Sequence, residues 1–362
     1  MRRRVTILGL LAAVAIALVV AGCGGSDEGS LSDEEIESIE ELTKTVPNVG
    51  LGEGSPPPAD AGQWKTDFSK QLVPLEEFQS GGPSKDGIPA IDEPQFTRAK
   101  EVDWIGRREP VIVVEADGET RGYPIQILVW HEIVNDQIGE TPVAVTFCPL
   151  CNTAIVFDRR LDGEVLSFGT TGKLRESDLV MYDRKTESWW QQFSGEALVG
   201  ALAGKKLEQL PVRIVAWQEF RNEHPESLVL NLNTGFARDY GVNPYVGYDS
   251  IDSSPLFPVQ NEDDDRLPPK ERVVYVEVGD QAVAVPFSSL AEKRTIEVDT
   301  GKGQLVVRWR RGVASALDSA GIDDGRDVGS AEVSLDGKPI PFTEPFWFAV
   351  AAFRPDIEIV DG

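Results

Sequence analysis

Two cysteines lie two residues apart in the stretch TFCPLCNTAIVF, residues 146–157. Cys148 and Cys151 are the only cysteines in the chain apart from Cys23, near the amino terminus. This spacing suits three kinds of chemistry: a metal-binding turn, a redox-active dithiol or a plain disulfide. The function of the chain is therefore sought first at this pair of thiols.

The metal interpretation needs further ligands, because two sulfurs supply only half of a tetrahedral site. His131 is one of two histidines in the chain and lies on the preceding predicted element, so we predict it as the third ligand. Such a set leaves one coordination position open, as in catalytic zinc sites, and soft thiolates also suit copper(I). Glu132 is a candidate catalytic residue that would orient a ligand or carry a proton.

The redox interpretation expects the pair at the amino terminus of a helix, where backbone N–H groups lower the pKa of a thiol. The residues that follow, NTAIVFD, instead have the composition of a strand. A disulfide stays open too, since an exported protein meets an oxidising compartment, although closing so short a loop stabilises a fold little. The sequence favours the metal-binding turn over both alternatives.

A polar and aromatic stretch, residues 168–196, follows the cysteines. Asp178 and Asp183 are candidate proton acceptors beside the thiols. Other side chains are candidates for the wall of a pocket over the thiols: Lys173, Ser177, Tyr182 and Trp189. The alternative is a hairpin with its aromatic side chains in the core, and for the tryptophans it is the better interpretation. A later stretch, RDYGVNPYVGYDS (238–250), predicts either a lid or a well-packed loop.

The elements that must position these residues are mainly strands. β-Branched and polar residues mix around Asp-Gly turns, as is typical of hairpins, in EPVIVVEADGETRGYPI, TPVAVTFC and TAIVFDRRLDGEVLSFG. Between the first two, the segment IQILVWHEIVNDQIG predicts a short helix or turn packed on the sheet. We therefore predict an α+β fold, rich in strands, with short helices.

The sequence also repeats itself. At a constant offset of 162, EPVIVVEADGETRGYPIQIL lies over ERVVYVEVGDQAVAVPFSSL, and the alignment continues without a gap to Ala154 over Ala316. At an offset of 130, WQEFRNEHPESLVL lies over WFAVAAFRPDIEIV. The pattern predicts a tandem duplicated β unit whose second copy is shortened by 32 residues.

The two copies differ at the candidate site. The reactive residue is replaced at three aligned positions: His131 by Lys293, Cys148 by Arg310 and Cys151 by Val313. Packing alone therefore does not require the reactive residues, and we expect the chemistry in the first copy. A structural disulfide present in one copy only would produce the same difference.

The amino terminus has the order of an export signal: three arginines, an apolar stretch and small residues before Cys23. This order resembles the lipobox of bacterial lipoproteins, which implies lipidation of Cys23; the alternative is an ordinary secreted protein. The predicted organisation is a signal peptide (1–22), an acidic flexible tether (23–62), a first repeat carrying the candidate site (63–262) and a degenerate second repeat (263–362).

The chain is strongly acidic, with 35 basic and 60 acidic side chains and a net charge of −25. Loss of the leader, which contains three arginines and no acid, would make the charge more negative still. Such a surface repels nucleic acid and anionic headgroups. We predict a protein on the extracytoplasmic side of the cell membrane, anchored by its lipid, without nucleic acid and with a small-molecule or protein partner yet to be identified.

Several of these stretches together resemble a prokaryotic family catalogued as domain of unknown function 3179. The resemblance covers about residues 70–262 and rests, in this order, on GGPSKDGIPAID, YPIQILVWHEIVND, VAVTFCPLCNTAIVFDR, SDLVMYDRKTESWWQQFSGEALVG and RDYGVNPYVGY. It implies that a set of residues belongs to a family pattern: His131, Cys148, Cys151, Ser177, Asp178, Tyr182 and Asp183. Asn152 stands where the family usually has glycine. The family name implies no activity.

Three functions of different classes follow. The first is a lipid-anchored envelope protein with a zinc or copper ion at His131, Cys148 and Cys151, catalytic if the open position takes a substrate. The second is a thiol–disulfide redox protein that uses the same cysteines. The third is a non-enzymatic binding or assembly module whose cleft is formed by the aromatic stretch.

Overall fold

The computed structural model describes residues 56–362. In this part of the chain the α-helices are short, seven residues each: α1 (Ile125–His131), α2 (Trp217–Glu223), α3 (Phe287–Lys293) and α4 (Trp347–Phe353). Single turns of 3-10 helix lie at Ala61–Gln63, Leu75–Glu77, Ala99–Glu101 and Ile322–Asp324. The predicted signal peptide, Cys23 and most of the tether lie outside the described residues.

Strands make up most of the regular structure. Before residue 262 they are β1 (Gln79–Ser80), β2 (Phe96–Arg98), β3 (Pro110–Ala116), β4 (Glu119–Pro124), β5 (Ile133–Ile138), β6 (Thr141–Cys148), β7 (Thr153–Asp158), β8 (Arg160–Leu161), β9 (Glu164–Val165), β10 (Phe168–Arg175), β11 (Asp178–Asp183), β12 (Trp189–Gln191), β13 (Glu196–Val199), β14 (Gln209–Leu210), β15 (Val212–Ala216) and β16 (Leu228–Leu230). After it they are β17 (Val273–Val278), β18 (Gln281–Pro286), β19 (Thr295–Asp299), β20 (Gln304–Arg310), β21 (Ser330–Leu335), β22 (Lys338–Pro339) and β23 (Glu358–Ile359).

Five sheets are arranged like the blades of a five-bladed β-propeller. Their strand orders are β15-β3-β4-β16-β2 (sheet 1), β14-β7-β6-β5 (sheet 2), β1-β10-β11-β12-β13 (sheet 3), β17-β18-β23 (sheet 4) and β19-β20-β21-β22 (sheet 5), and β8 pairs with β9 separately. The prediction of a strand-rich fold with short helices is confirmed. None of the helices in residues 56–362 has the length and apolarity needed to cross a membrane.

Helix α1 carries the chain from sheet 1 to sheet 2. Pro124 precedes it with an extended backbone, and Ile125, Leu128 and Val129 are buried. The helix ends at Glu132, whose φ of 59° is uncommon for a residue other than glycine and whose N–H donates to the carbonyl of Leu128. This sharp exit sends the chain directly into β5.

The same order of elements occurs twice. In sheet 1, Val111 pairs with Pro124 across β3 and β4, and in sheet 4, Val273 pairs with Pro286 across β17 and β18, each 162 positions later. Helices α1 and α3 follow, and α3 ends at Arg294 with a φ of 66°. The parallel return strands match at the second offset of 130, since β16 pairs with β4 as β23 pairs with β18.

Sheet 3 interrupts this correspondence. In sheet 5, β21 runs into its neighbour β22 through the two-residue turn Asp336–Gly337. The equivalent strands of sheet 2 are β7 and β14, and the chain builds strands β10 to β13 of sheet 3 between them. Sheet 3 is thus an insertion in the first half relative to the second.

The gapless alignment fails beyond Arg310. Cys148 pairs with Thr153 across the tight turn of residues 149–152. Arg310 instead pairs with Ser330, and the connection between them spans residues 311–329. Val313 therefore aligns with Cys151 in sequence but not in structure, because the two connections differ in length and path.

Candidate metal centre

The two cysteines lie at either end of the turn between β6 and β7. Asn152 has a φ of 59°, a left-handed backbone that asparagine tolerates better than most residues, and its side chain donates to the carbonyl of Glu344 at 2.7 Å. The N–H of Phe346 donates to the carbonyl of Cys151 at 2.9 Å. Residues of the second half therefore hold this turn in place.

A third side chain comes from sheet 3. Asp178 is the first residue of β11 and follows a two-residue turn, Glu176–Ser177, in which both φ values are positive, at 53° and 56°. Hairpin turns of this kind usually contain glycine or asparagine, so two other residues here make the backbone strained. This turn directs the Asp178 carboxyl group to the cysteines.

Cys148, Cys151 and Asp178 form one buried group. Their ligand atoms all lie within 4.8 Å of one another, and each residue is at most 1% exposed. Cys151 Sγ donates to Asp178 Oδ1 at 2.9 Å, and both thiols are free. The other oxygen, Asp178 Oδ2, accepts from Gln191 Nε2 at 2.6 Å and from the Phe193 N–H at 2.9 Å. One carboxylate oxygen is thus held by the protein while the other faces the sulfurs.

Burial dominates the electrostatics of this group. It raises the pKa of Asp178 to about 6 and raises the pKa of Cys148 and, further, of Cys151. Glu132 is nearby and buried: burial, and then the charge of Asp178, raise its pKa to about 8. No cationic side chain is among the main causes of any of these shifts. Within residues 56–362, four acidic groups therefore share a low-dielectric space in which no cation is a main influence on their pKa values.

The donor set fits a metal ion. Two sulfurs at about 2.3 Å from a tetrahedral zinc ion lie about 3.8 Å apart, and the ligand atoms of the observed group lie within 4.8 Å of one another. The Ser177 hydroxyl gives a second indication, because it is buried and comes near Tyr248 without completing a hydrogen bond to any residue in 56–362. A buried polar atom without a partner beside such a group is what a bound ligand or ordered water would satisfy.

His131 does not join this group. Its Nδ1 lies 2.7 Å from the carbonyl oxygen of Pro89, so Nδ1 carries the proton and donates. Its Nε2 then accepts from the Tyr240 hydroxyl, also at 2.7 Å. Both ring nitrogens are occupied, and in place of the third ligand predicted at His131 the structure offers Asp178.

Asp183, the other aspartate of β11, also lies apart from the thiols. Its carboxylate accepts from the N–H groups of Thr186 and Ser188, at 2.6 and 3.1 Å, and from Trp190 Nε1 at 3.0 Å. These donors come from the turn that follows β11 and from strand β12. Asp183 is thus placed to stabilise that turn. None of these hydrogen bonds involves a thiol, so they do not support the proton-acceptor role predicted for Asp183.

Three of the four predicted pocket residues belong to a separate aromatic cluster. Trp189 is fully buried and packs edge-on against Trp64, Phe68 and Phe78, and Tyr182 contacts Trp64 in the same way. Lys173 pairs with Asp60 at 2.8 Å and lies over the Trp189 ring. Only the fourth residue, Ser177, is next to the buried group of Cys148, Cys151 and Asp178, hereafter the metal group.

The tyrosine-rich stretch at 238–250 covers the site. Tyr248 donates to the carbonyl of Leu150 at 2.9 Å and Tyr240 binds His131, while burial, and then the charges of Glu132 and Cys148, raise the pKa of Tyr245. Of the two predictions for this stretch, a packed loop over the cysteine turn describes it best. Tyr245, Gln191 and the Phe193 N–H carried no signal in the sequence that linked them to the thiols.

Comparison with known families agrees with this geometry. The chain matches the family described as Protein of unknown function (DUF3179) over residues 85–357, which includes both halves and all residues of the metal group. No curated protein and no solved structure matches the chain significantly. On the extent of this match, the chain belongs to the DUF3179 family.

Proposed function

We propose that this protein binds a transition-metal ion through Cys148, Cys151 and Asp178. The observation that carries the proposal is the buried group itself: two thiols and a carboxyl, within 4.8 Å, with no cation among the causes of their pKa shifts. Burying groups that become anionic is costly unless a cation compensates them. Two sulfurs and one oxygen favour zinc over copper(I), because a carboxylate is a hard ligand.

Proton movements follow from the same contacts. Thiols must lose their protons to become ligands. The proton that Cys151 shares with Asp178 is the one that a bound ion would replace. Glu132 interacts with Cys148 and, with a pKa of about 8, is largely protonated at neutral pH, so it is placed to donate a proton to a molecule bound there. When bound, zinc would act as a Lewis acid or lower the pKa of a water molecule.

Three protein ligands leave a fourth position, which is the pattern of catalytic rather than structural zinc. Ser177, with its unpartnered hydroxyl, and Glu132 are the polar side chains available to a molecule in that position. We therefore extend the proposal to a catalytic role at this position, with Glu132 as proton carrier. The Tyr245 and Tyr248 rings exclude bulk water from it.

The cellular setting is part of the proposal. The export signal, the small residues before Cys23 and the acidic stretch to residue 62 support a lipid-anchored protein on the extracytoplasmic side of the membrane. The repeated pairing of sheets 1 and 4 supports a tandem duplication, with a second copy that lacks sheet 3. The metal group then belongs to the first copy.

A thiol–disulfide redox role is the second candidate, favoured by the closeness of two free thiols. It is weaker because the thiolate is the reactive form, and burial raises the pKa of both thiols. The cysteines also follow a strand instead of opening a helix. A non-enzymatic binding module is the third candidate, but the aromatic stretch expected to form its cleft is largely buried.

The test is the metal content of the purified protein. After loading with zinc and gel filtration, we expect about one zinc ion per chain, falling below about 0.1 in Cys148→Ser and Cys151→Ser. Ala154→Ser is the matched control, because it places a hydroxyl at a neighbouring buried position without altering a ligand.

The outcomes separate the candidates. Zinc retained in both serine variants, or absent from the wild type, contradicts the metal proposal. Metal-free protein whose two thiols oxidise and reduce reversibly with a mild dithiol would instead establish the redox role. Loss of zinc in Ala154→Ser as well would show that the loss reflects packing and not ligation.

A further inference from the structure

A cleft lined by arginines lies between sheets 1 and 5. It has a volume of about 540 Å³, and its basic lining consists of Arg213, Arg294, Arg308 and Arg310. Glu223 and Glu332 are the acidic residues of the lining. The chain has a net charge of −25, whereas this cleft, with four arginines and two glutamates, is locally positive.

Half of these arginines have acidic partners. Glu332 accepts from Arg310 and, at 3.4 Å, from Arg213. Arg310 also pairs with Glu219 at 3.2 Å. These contacts hold Arg213 of β15 and Arg310 of β20 at the junction of sheets 1 and 5.

The other two arginines have no acidic partner among the described residues. Within residues 56–362, no ion pair involves Arg294 or Arg308. The Arg294 guanidinium lies over the Trp309 ring, 4.6 Å from its centre, so its plane is oriented. Arg308 shares a face of β20 with Arg310, two residues on, and both are exposed.

We propose that this cleft binds a phosphate-bearing ligand. Guanidinium groups match phosphate oxygens in paired hydrogen bonds, and a phosphate presents its oxygens to more than one of them at once. A phosphate monoester also carries close to two negative charges, which suits two cations without acidic partners. Of the two glutamates in the lining, Glu332 is engaged with Arg213 and Arg310, and within the described part of the chain neither glutamate forms an ion pair with Arg294 or Arg308, which leaves these two arginines for the ligand.

The position of the cleft supports a site distinct from the metal group. Arg294 ends α3 as Glu132 ends α1, and Arg310 occupies the place in β20 that Cys148 occupies in β6. The same place in the repeated backbone therefore carries acids and thiols in one half and arginines in the other. The phosphate proposal does not depend on metal binding in the first half.

Calorimetric titration of the intact protein in detergent with inorganic pyrophosphate tests the proposal. Ionic strength is held constant with sodium chloride. We expect saturable binding that weakens at least about 10-fold in the double variant Arg294→Gln/Arg308→Gln. Arg311→Gln is the matched control, since Arg311 is a more exposed arginine next to the cleft and pairs with Asp327; it should change affinity by less than about 2-fold.

Further arms distinguish the source of the phosphate. Long-chain polyphosphate binding more tightly per phosphate than pyrophosphate would indicate a polymer, and equal affinity a small molecule. Absence of saturable binding, equal binding by the double variant, or equal binding of citrate would each overturn the proposal. Circular dichroism of the double variant, whose changes are at exposed positions, verifies that it is folded.

Discussion

The carboxyl ends of helices α1 and α3 have the same backbone and opposite chemistry. Glu132 and Arg294 both have a positive φ, and their carbonyls accept from Phe147 and Trp309 at 2.8 and 2.9 Å. Yet Glu132 interacts with the carboxyl of Asp178 and the thiol of Cys148, whereas Arg294 lines a cleft with three other arginines. The fold thus needs neither set, which is why we attribute the buried thiols and acids to function.

The comparison also accounts for the position of His131 outside the group of Cys148, Cys151 and Asp178. His131 Nδ1 donates to the carbonyl of Pro89, and Lys293 Nζ, its counterpart, donates to the carbonyl of Asp361. In both halves this position ties the end of a helix to a passing segment. His131 therefore has a positioning role that its counterpart also has, and the residue unique to the first half is Asp178, supplied by the inserted sheet 3.

The largest effect is expected from removing Asp178, the proposed ligand that sheet 3 supplies. Asp178→Asn should weaken zinc binding by about 100-fold or more, because it removes the charged oxygen ligand. Competition with a chromophoric chelator measures the affinity. Asp183→Asn, a buried aspartate at the other end of the same strand, is the control and should retain zinc wherever it is folded. Equal loss in both variants would argue against a ligand role.

The buried carboxyls beside the thiols should give the stability of the metal-free fold a pH dependence. Burial raises the pKa of Glu132 from 4.5 to about 8 and that of Asp178 from 3.8 to about 6, so the folded metal-free protein binds more protons than the unfolded chain between about pH 4 and pH 8. Its free energy of unfolding should therefore fall as pH rises through this window, by a few kcal/mol. Urea titrations in the presence of a chelator measure it.

The matched variant for this prediction is Glu132→Gln. It should remove much of the pH dependence, because glutamine does not titrate. A slope as steep as that of the wild type would show that other buried carboxyls, such as Glu109 or Glu344, cause the dependence instead.

The next effect in size concerns the positioning residues. His131→Asn should lower the free energy of unfolding by about 1–3 kcal/mol, since it leaves Pro89 and Tyr240 without their buried partner. Zinc affinity should change by less than about 3-fold. Lys293→Met should cost less, because Lys293 is exposed and water replaces it. Thermal unfolding and chelator competition measure the two quantities, and a zinc loss above about 10-fold in His131→Asn would restore it as a ligand.

The smallest expected effect concerns the backbone strain of two hairpin turns. The hairpin turn of sheet 5 contains Gly337, whereas the turn before Asp178 has Glu176 and Ser177 at positive φ. Ser177→Gly should therefore stabilise the metal-free fold by about 0.5–1 kcal/mol, by relieving backbone strain. Urea denaturation measures the change, and destabilisation would show that the Ser177 hydroxyl contributes more than the strain costs.

Part of this structure could be predicted from the sequence. The Asp-Gly hairpins, α1, the strand after the cysteines and the left-handed Asn152 follow from local preferences. The offset of 162 predicted the shared pairing of sheets 1 and 4, because packing residues recur with their partners. The domain limits at 63–262 and 263–362 stay predictions.

The rest depended on long-range geometry. The sequence did not distinguish Asp178 from Asp183. The turn at Glu176–Ser177 determines which of them faces the thiols, and it contains no glycine that would mark it in the sequence. The direction of the His131 ring depends on Pro89 and Tyr240, which are distant in sequence. Sheet 3 was visible as an excess of 32 residues, but not as a sheet that contributes a ligand.

X-ray absorption at the zinc edge tests the central claim most directly. For the zinc-loaded protein we expect two sulfur neighbours at about 2.3 Å and oxygen neighbours at about 2.0–2.2 Å, without the outer-shell scattering of an imidazole. Asp178→Asn should alter the oxygen shell and leave any sulfur shell intact. An imidazole signal that disappears in His131→Asn, or a zinc ion without sulfur neighbours, would contradict the assignment of Cys148, Cys151 and Asp178 as the metal ligands.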